Sequence, residues 1–272
     1  GIGKSRLVEE LLAHVARATT TLPTVVAVGQ CIETGAIGAP FAPIRRLLRD
    51  VYRGVGDVAF RRAAGSPALL TRLGVVLPEL DSGSDASPES RHPGDAGEDA
   101  IAEAVQSVLE TLSATHHLVL VVEDLHWADT ATLALLRTLT ATLKAAHLTA
   151  VLTYRTEDFV AAHPLLPVLA DLERHRAVAR LTLGRLCDAD AARLVRLLEP
   201  SIAPEDCESI VVRGQGVPFF IEELTDLPDG RLPDTVRSVV LARYLRLSAP
   251  ARAVVDVLSV GGLEVEHGAL AA

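Results

Sequence analysis

The chain has 272 residues, of which 49% are hydrophobic and 22% are charged, which is ample for one large domain or two smaller ones. Its formal net charge is −9 and no basic stripe is visible, which argues against direct binding of nucleic acid. No apolar run approaches the roughly 20 residues of a membrane span. The cysteines lie far apart, and we expect small core residues in a reducing cytoplasm at Cys31, Cys187 and Cys207. The sequence contains no methionine, so we expect it to be an internal part of a longer polypeptide.

The first residues, Gly1-Ile2-Gly3-Lys4-Ser5, match the second half of the phosphate-binding motif G-x-x-x-x-G-K-[ST]. A glycine at position 3 lets the backbone approach phosphate oxygens closely. Lys4 would bring a positive charge to the β- and γ-phosphates, and Ser5 would offer a hydroxyl to Mg²⁺. The helix that follows would direct its N-terminal N–H groups at the same anion. The motif's first glycine would precede Gly1, and a glycine-rich start before an ordinary helix is the alternative.

Apolar periodicity predicts alternating helices and strands in the first two thirds of the chain. Helices are predicted over residues 4–18, 44–52, 101–112, 130–143 and 163–174, and strands over residues 24–31, 117–124, 148–155 and 177–183. These strands lack a polar alternation, which is typical of a parallel sheet covered on both faces. Residues 55–80 are predicted to be a helical insert, and residues 81–99, rich in Ser, Gly, Asp and Pro, a flexible loop. Beyond residue 184 only helices are predicted, over residues 189–198, 204–212, 219–224, 233–247 and 250–258.

Two carboxylates, Glu123 and Asp124, follow the most apolar of these strands. Open α/β sheets bind ligands at the carboxyl ends of their strands. An acidic pair at such an end could hold Mg²⁺, directly or through water, and polarise an attacking water. A solvated acidic turn is the alternative. We also expect Asp129 to cap the next helix and His126 to be an ordinary loop residue.

Two later features are candidates for ligand contacts. Arg155 ends a predicted strand and could reach a γ-phosphate, although pairing with Glu157 or Asp158 is the alternative. The turn around Gly216 and Pro218 could present a flat apolar surface to an adenine ring. Its alternative is an ordinary helix start with proline in the first turn.

Together these motifs resemble the AAA-like ATPase module of STAND signalling proteins, above all that of the large ATP-binding LuxR-type transcriptional regulators of bacteria. The resemblance rests on residues 3–5, 123–129, 153–155 and 216–224, and extends over nearly the whole chain except residues 81–99. It implies an α/β P-loop NTPase with a parallel sheet flanked by helices, whose first strand would precede Gly1. The implied domains are a nucleotide-binding domain at 1–183, a helical lid at 184–229 and the start of a winged-helix-like unit at 230–272.

The resemblance also implies a role for each matching residue. The nucleotide would be bound by Gly1, Gly3, Lys4, Ser5, Arg6, Gly216 and Pro218. Mg²⁺ would be held by Ser5, Glu123 and Asp124, and catalysis would fall to Glu123, Asp124 and Arg155. Glu123 stands where the family more often has aspartate, and this longer acid would reach Mg²⁺ through water. The implied cofactors are therefore ATP or ADP together with Mg²⁺.

The function implied by the resemblance is an ATP-binding, slowly ATP-hydrolysing switch module of a LuxR-type regulator of transcription. One alternative is a regulatory ATPase module of a multidomain adenylate cyclase or protein kinase, and another is a nucleotide-binding scaffold without hydrolysis. The expected partners are ATP and other domains of the same polypeptide, or a second copy. DNA would be contacted only through a helix-turn-helix outside this chain, and no membrane would be involved.

Overall fold

A computed structural model of the chain describes residues 2–18, 20–33, 40–81, 97–142, 147–156, 159, 163–174, 177–226 and 234–261. Two compact units are present, one of Ser5–Leu181 and one of Thr182–Ala272 together with Gly1–Lys4. Each unit has its own hydrophobic core. Among the described helices, none has the length and apolar character needed to cross a membrane.

A parallel sheet forms the centre of the first unit. Its described strands are β1 (Thr24–Gln30), β2 (His117–Glu123) and β3 (Leu148–Leu152), in the order β1-β2-β3. The middle strand β2 is buried at residues 118–122, as its unbroken apolar run predicts. Gln30 pairs with Glu123, and Val122 pairs with Leu152, so the carboxyl ends of all three strands meet at one edge. The predicted α/β class with a parallel sheet is confirmed.

This unit also contains helices, and all of them except the first contribute residues to its core. They are α1 (Lys4–Arg17), α2 (Ala42–Val55), α3 (Asp57–Ala64), α4 (Pro67–Gly74), α5 (Glu98–Ser113), α6 (Thr130–Thr142) and α7 (Leu165–Glu173). Short 3₁₀ turns occupy Pro78–Asp81 and Leu125–Trp127. The flexible loop predicted at 81–99 lies mostly outside the described residues, and its last residues belong to α5, which begins at Glu98.

Helix α2 packs closely along β1, and one glycine makes this approach feasible. A Cβ on Gly29 would overlap the backbone carbonyl of Pro43 in the first turn of α2. Further along α2, the carboxylate of Asp50 accepts a hydrogen bond from the backbone N–H of Val28 at 3.3 Å. This bond satisfies a donor on the outer edge of β1, where no strand pairs with it in the described residues.

Two expectations about this part of the chain are wrong. Residues 177–183 form no strand, and Leu181 is 73% exposed. A strand needs a neighbour for its backbone hydrogen bonds, and residues 177–183 pair with none of the described strands. Strand β3 also ends at Leu152 rather than Arg155, because β2 turns away after Glu123. The predicted helix at the start of the chain is confirmed as α1, in which Val8 is buried and Leu7 is 45% exposed.

The second unit is helical. Helices α8 (Asp188–Leu198), α9 (Pro204–Gly214) and α10 (Pro218–Thr225) pack around a small core that includes Val195 and Ile221. Helices α11 (Asp234–Arg246) and α12 (Ala249–Gly261) follow. Cys187, which we expected in a core, is exposed just before α8, whereas Cys31 and Cys207 are buried. The winged-helix-like unit and the boundaries of the three domains stay predictions.

Candidate functional site

The acidic pair lies at the carboxyl edge of the sheet. Glu123 is the last residue of β2, and its carbonyl accepts a hydrogen bond from the N–H of Cys31 at 2.9 Å. Asp124 follows in the left-handed region, with φ 57° and ψ 44°. Both side chains are half-buried, and neither carboxylate makes a hydrogen bond or ion pair with a described residue. The structure therefore presents two carboxylates at the edge where parallel sheets bind ligands.

The acidic loop, residues 123–129, is attached to the neighbouring strand through Thr153. The N–H of Asp124 donates to the Thr153 hydroxyl oxygen at 3.1 Å, and the N–H of Leu125 donates to the Thr153 carbonyl at 2.8 Å. Thr153 in turn donates its own N–H to the carbonyl of Val122 at 3.0 Å. These three bonds fix the direction in which the chain leaves β2.

The far end of the acidic loop is fixed by a helix cap. The carboxylate of Asp129 accepts from the N–H of Thr132 at 2.8 Å and from its hydroxyl at 2.7 Å. This is the geometry of an N-cap, and it confirms the predicted capping role of Asp129 at the start of α6. The cap uses both oxygens of Asp129.

The middle of the acidic loop is held by a histidine that the sequence did not single out. His163 places Nε2 3.2 Å from the carbonyl oxygen of His126 and Nδ1 3.2 Å from the backbone nitrogen of Leu165. His126 itself is buried, and it lies in the 3₁₀ turn between β2 and α6, which agrees with the expectation of a loop residue. The dipeptide His163-Pro164 just before α7 was the available signal for a histidine at a helix start.

Cys31 lies close enough to the acidic loop to be affected by its charge. Burial, followed by the charges of Asp129 and Asp124, raises the pKa of the Cys31 thiol from 9.0 to about 12. The thiol therefore stays protonated at neutral pH and acts as a small apolar group.

Arg155 lies just past the end of β3. Its side chain is exposed and has no partner among the described residues. Glu157 and Asp158, the carboxylates that could pair with it, lie outside the described residues. The preceding residue, Tyr154, stacks on Phe159 with ring centroids 5.8 Å apart. The guanidinium of Arg180 lies over the Tyr154 ring, 6.0 Å from its centroid. The γ-phosphate role of Arg155 stays a prediction.

The start of the chain has a glycine with positive φ directly before a helix. Gly3 has φ +92°, and the helix begins at the next residue, Lys4. Ser5 is exposed in the first turn of α1. Arg6 is also exposed and forms ion pairs at 3.5 Å with Glu9 and at 2.7 Å with Glu10 along the same helix. Gly1, which the resemblance also assigns to nucleotide binding, lies outside the described residues.

In the second unit, the Gly216 turn has a packing role of its own. Gly216 has φ +68°, and its carbonyl accepts from the N–H of Leu186 at 2.7 Å. A Cβ at this position would overlap the Leu186 carbonyl. Pro218 is in the first turn of α10, where its missing N–H is not needed. Packing thus accounts for the glycine, and contact with adenine stays a prediction for both residues.

The carboxyl edge of the sheet has oxygen ligands of the kind that Mg²⁺ requires. This ion prefers oxygen ligands and is usually bound by one or two carboxylates together with phosphate oxygens and water. Glu123 and Asp124 supply two such carboxylates, whose oxygens are not engaged by described residues. Among the residues that the structure describes, no group of three or more His, Cys, Asp or Glu side chains is arranged to hold a metal ion without other ligands. The residues present therefore fit an ion that is shared with phosphate.

These observations define the class of the protein. An α/β unit with a three-stranded parallel sheet, an acidic pair at its carboxyl edge and a Gly-Lys-Ser helix start is a P-loop NTPase fold. The chain matches the family model of the AAA ATPase domain over residues 1–152, more than half of its length, and it belongs to that family. No curated protein matches the chain.

Proposed function

We propose that the protein is an ATP-binding, slowly ATP-hydrolysing switch module of a LuxR-type regulator of bacterial transcription. Membership of the AAA ATPase domain family supports the nucleotide-binding part. The observation that carries the hydrolytic part is the pair of unengaged carboxylates, Glu123 and Asp124, held at the sheet edge by Thr153. The transcriptional output is supported by the resemblance of the four motifs to LuxR-type regulators.

In this proposal, the start of α1 and the residues that follow β2 and β3 have separate tasks. Lys4 and the first N–H groups of α1 bind the β- and γ-phosphates, and the Ser5 hydroxyl contributes a ligand to Mg²⁺. When bound, Mg²⁺ neutralises charge on the phosphate oxygens. Glu123 orients a water on the γ-phosphorus and accepts its proton as the bond to the bridging oxygen breaks. Arg155 stabilises the negative charge that develops on the phosphoryl oxygens.

Binding is tested by calorimetry of Mg·ATP and Mg·ADP with the full-length protein and its Lys4→Ala variant. We expect the affinity to fall by about tenfold or more, which corresponds to about 1.4 kcal/mol or more. Lys144→Ala is the matched control, because it removes the chain's other lysine. Unchanged nucleotide affinity in Lys4→Ala would show that the site assignment is wrong.

Hydrolysis is tested with Glu123→Gln and Asp124→Asn, which remove a charge and keep the shape of the side chain. We expect phosphate release to fall by about 10²-fold or more for Glu123→Gln while nucleotide remains bound. A protein that retains ADP and releases phosphate at the same rate with and without these changes would be a nucleotide-binding scaffold. A promoter reporter that responds to the same variants would support the transcriptional output.

A further inference from the structure

We propose that His163 is a positioning residue for hydrolysis, which holds the acidic loop in place through the carbonyl of His126. This inference rests on the proposed ATPase function. His163 lies outside the three motifs to which the proposed function assigns roles, which are Gly3-Lys4-Ser5, Glu123-Asp124 and Arg155. It also links the segment after β3, which carries Arg155, to the acidic pair at the end of β2.

The hydrogen bonds of His163 determine which of its nitrogens carries the proton. The backbone N–H of Leu165, 3.2 Å from Nδ1, can only donate, so Nδ1 must accept. The proton of the neutral ring is therefore on Nε2, which donates to the carbonyl of His126 at 3.2 Å. The neutral imidazole in this one tautomer makes both bonds, and it joins the start of α7 to the acidic loop.

Two aromatic side chains, Phe159 and Tyr154, lie in a row next to the His163 ring. The His163 ring lies 4.8 Å from the ring of Phe159, which lies 5.8 Å from Tyr154 at an interplanar angle of 12°. The guanidinium of Arg180 lies 6.0 Å from the centroid of the Tyr154 ring and also pairs with Glu173 at 2.7 Å. Since Tyr154 directly precedes Arg155, displacement of the arginine segment would be transmitted through these rings to His163.

Loss of the His163 bond should alter the position of the loop without unfolding it. The loop has turn bonds of its own, from the N–H of Trp127 to the Asp124 carbonyl at 2.9 Å and from Ala128 to Leu125 at 3.1 Å. Thr153 and Asp129 also hold its two ends. We therefore expect a defect in the chemical step, where small displacements of a carboxylate matter, and little change in nucleotide affinity.

Two substitutions separate the two bonds of His163. In His163→Asn the side-chain oxygen can take the position of Nδ1 and keep the bond from Leu165, but nothing reaches the His126 carbonyl. In His163→Gln the amide nitrogen can take the position of Nε2 and donate to that carbonyl. His147→Gln is the control, because it changes an exposed histidine at the amino end of β3, the opposite edge of the sheet.

The experiment measures kcat for ATP hydrolysis, nucleotide affinity and melting temperature in the full-length protein and these three variants. We expect His163→Asn to lower kcat by about tenfold with affinity changed by no more than about twofold, and His163→Gln to retain most of kcat. His147→Gln should match the wild type. Three results would overturn the positioning role alone. They are a normal kcat in His163→Asn, an equal loss of kcat in His163→Gln, and a loss of nucleotide affinity as large as the loss of kcat. A wild-type protein without hydrolysis would instead overturn the proposed function and this inference with it.

Discussion

The backbone N–H of Asp124 donates a hydrogen bond to the hydroxyl of Thr153 over 3.1 Å. This bond joins the second acid of the pair to the end of the neighbouring strand. It is made at a residue with left-handed backbone, where the chain reverses direction directly after β2. The position of Asp124 therefore depends in part on the hydroxyl of a residue that directly follows β3.

Removal of that hydroxyl should impair both stability and activity. Thr153→Val keeps the shape of the side chain but leaves the half-buried N–H of Asp124 without its acceptor. We expect a loss of about 1–3 kcal/mol in the free energy of unfolding, measured in urea, together with slower phosphate release. Thr149→Val changes an exposed threonine of β3 and is the control. Equal stability of Thr153→Val and the control would show that the bond contributes nothing.

The contact between Gly29 and α2 can be tested by adding one methyl group. In Gly29→Ala the new Cβ would overlap the carbonyl of Pro43, which is backbone and cannot rotate away. We expect a loss of about 1–3 kcal/mol in the free energy of unfolding. Gly184→Ala, where a Cβ would meet no atom within 4 Å, should change stability by about 0.5 kcal/mol or less. A neutral Gly29→Ala would show that α2 shifts easily relative to β1.

The turn before α10 offers a way to separate packing from adenine contact. Gly216→Ala should lower the melting temperature, because the backbone is left-handed and the Cβ would overlap the Leu186 carbonyl. Pro218→Ala should leave melting nearly unchanged, since alanine is accepted at a helix start. If Pro218 contacts adenine, Pro218→Ala will weaken ATP binding by a few-fold in calorimetry. Unchanged ATP affinity would reject the adenine role and retain the packing role of Gly216.

The raised pKa of Cys31 predicts a pH dependence of stability. The folded protein holds the thiol proton up to about pH 12, whereas an unfolded chain releases it near 9.0. The stabilising contribution is therefore complete below pH 9 and is lost as the pH rises from about 9 towards 12. By pH 10 the wild type should lose about 1.4 kcal/mol of unfolding free energy relative to Cys31→Ala.

Thiol labelling gives an independent check on Cys31. At pH 8 a thiol reagent should modify the exposed Cys187 in the folded protein and reach Cys31 only after unfolding. Rapid labelling of Cys31 in the native state, or parallel pH curves for wild type and Cys31→Ala, would contradict the raised pKa.

Local pattern was sufficient for some of these elements. The apolar run at 118–122 is long enough to require burial on both faces, and β2 is the central strand of the described sheet. Asp129 was predictable as a cap because its carboxylate acts on residues only three positions away. The acidic pair was predictable for a similar reason, since it directly follows that strand.

Features that depend on distant parts of the chain were not predictable in this way. The hydroxyl of Thr153 accepts a hydrogen bond from Asp124, 29 positions earlier, and this bond depends on how the chain turns after β2. The bond from His163 to His126 spans 37 positions. The apolar run at 177–183 has strand-like composition, but composition does not supply the neighbouring strand that its backbone would need. The close approach at Gly29 is likewise set by the path of α2.

The backbone at the sheet edge also constrains the order in which the two acids occur. Asp124 adopts φ 57°, a conformation that short polar residues such as aspartate and asparagine accept more readily than longer ones do. Glu123 is extended at the end of β2, where a longer side chain fits without strain. A chain with the acids exchanged would keep the same charge and lose about 1 kcal/mol of stability. Glutamate followed by aspartate is thus the arrangement that suits chain geometry, whichever ion or nucleotide the acids serve.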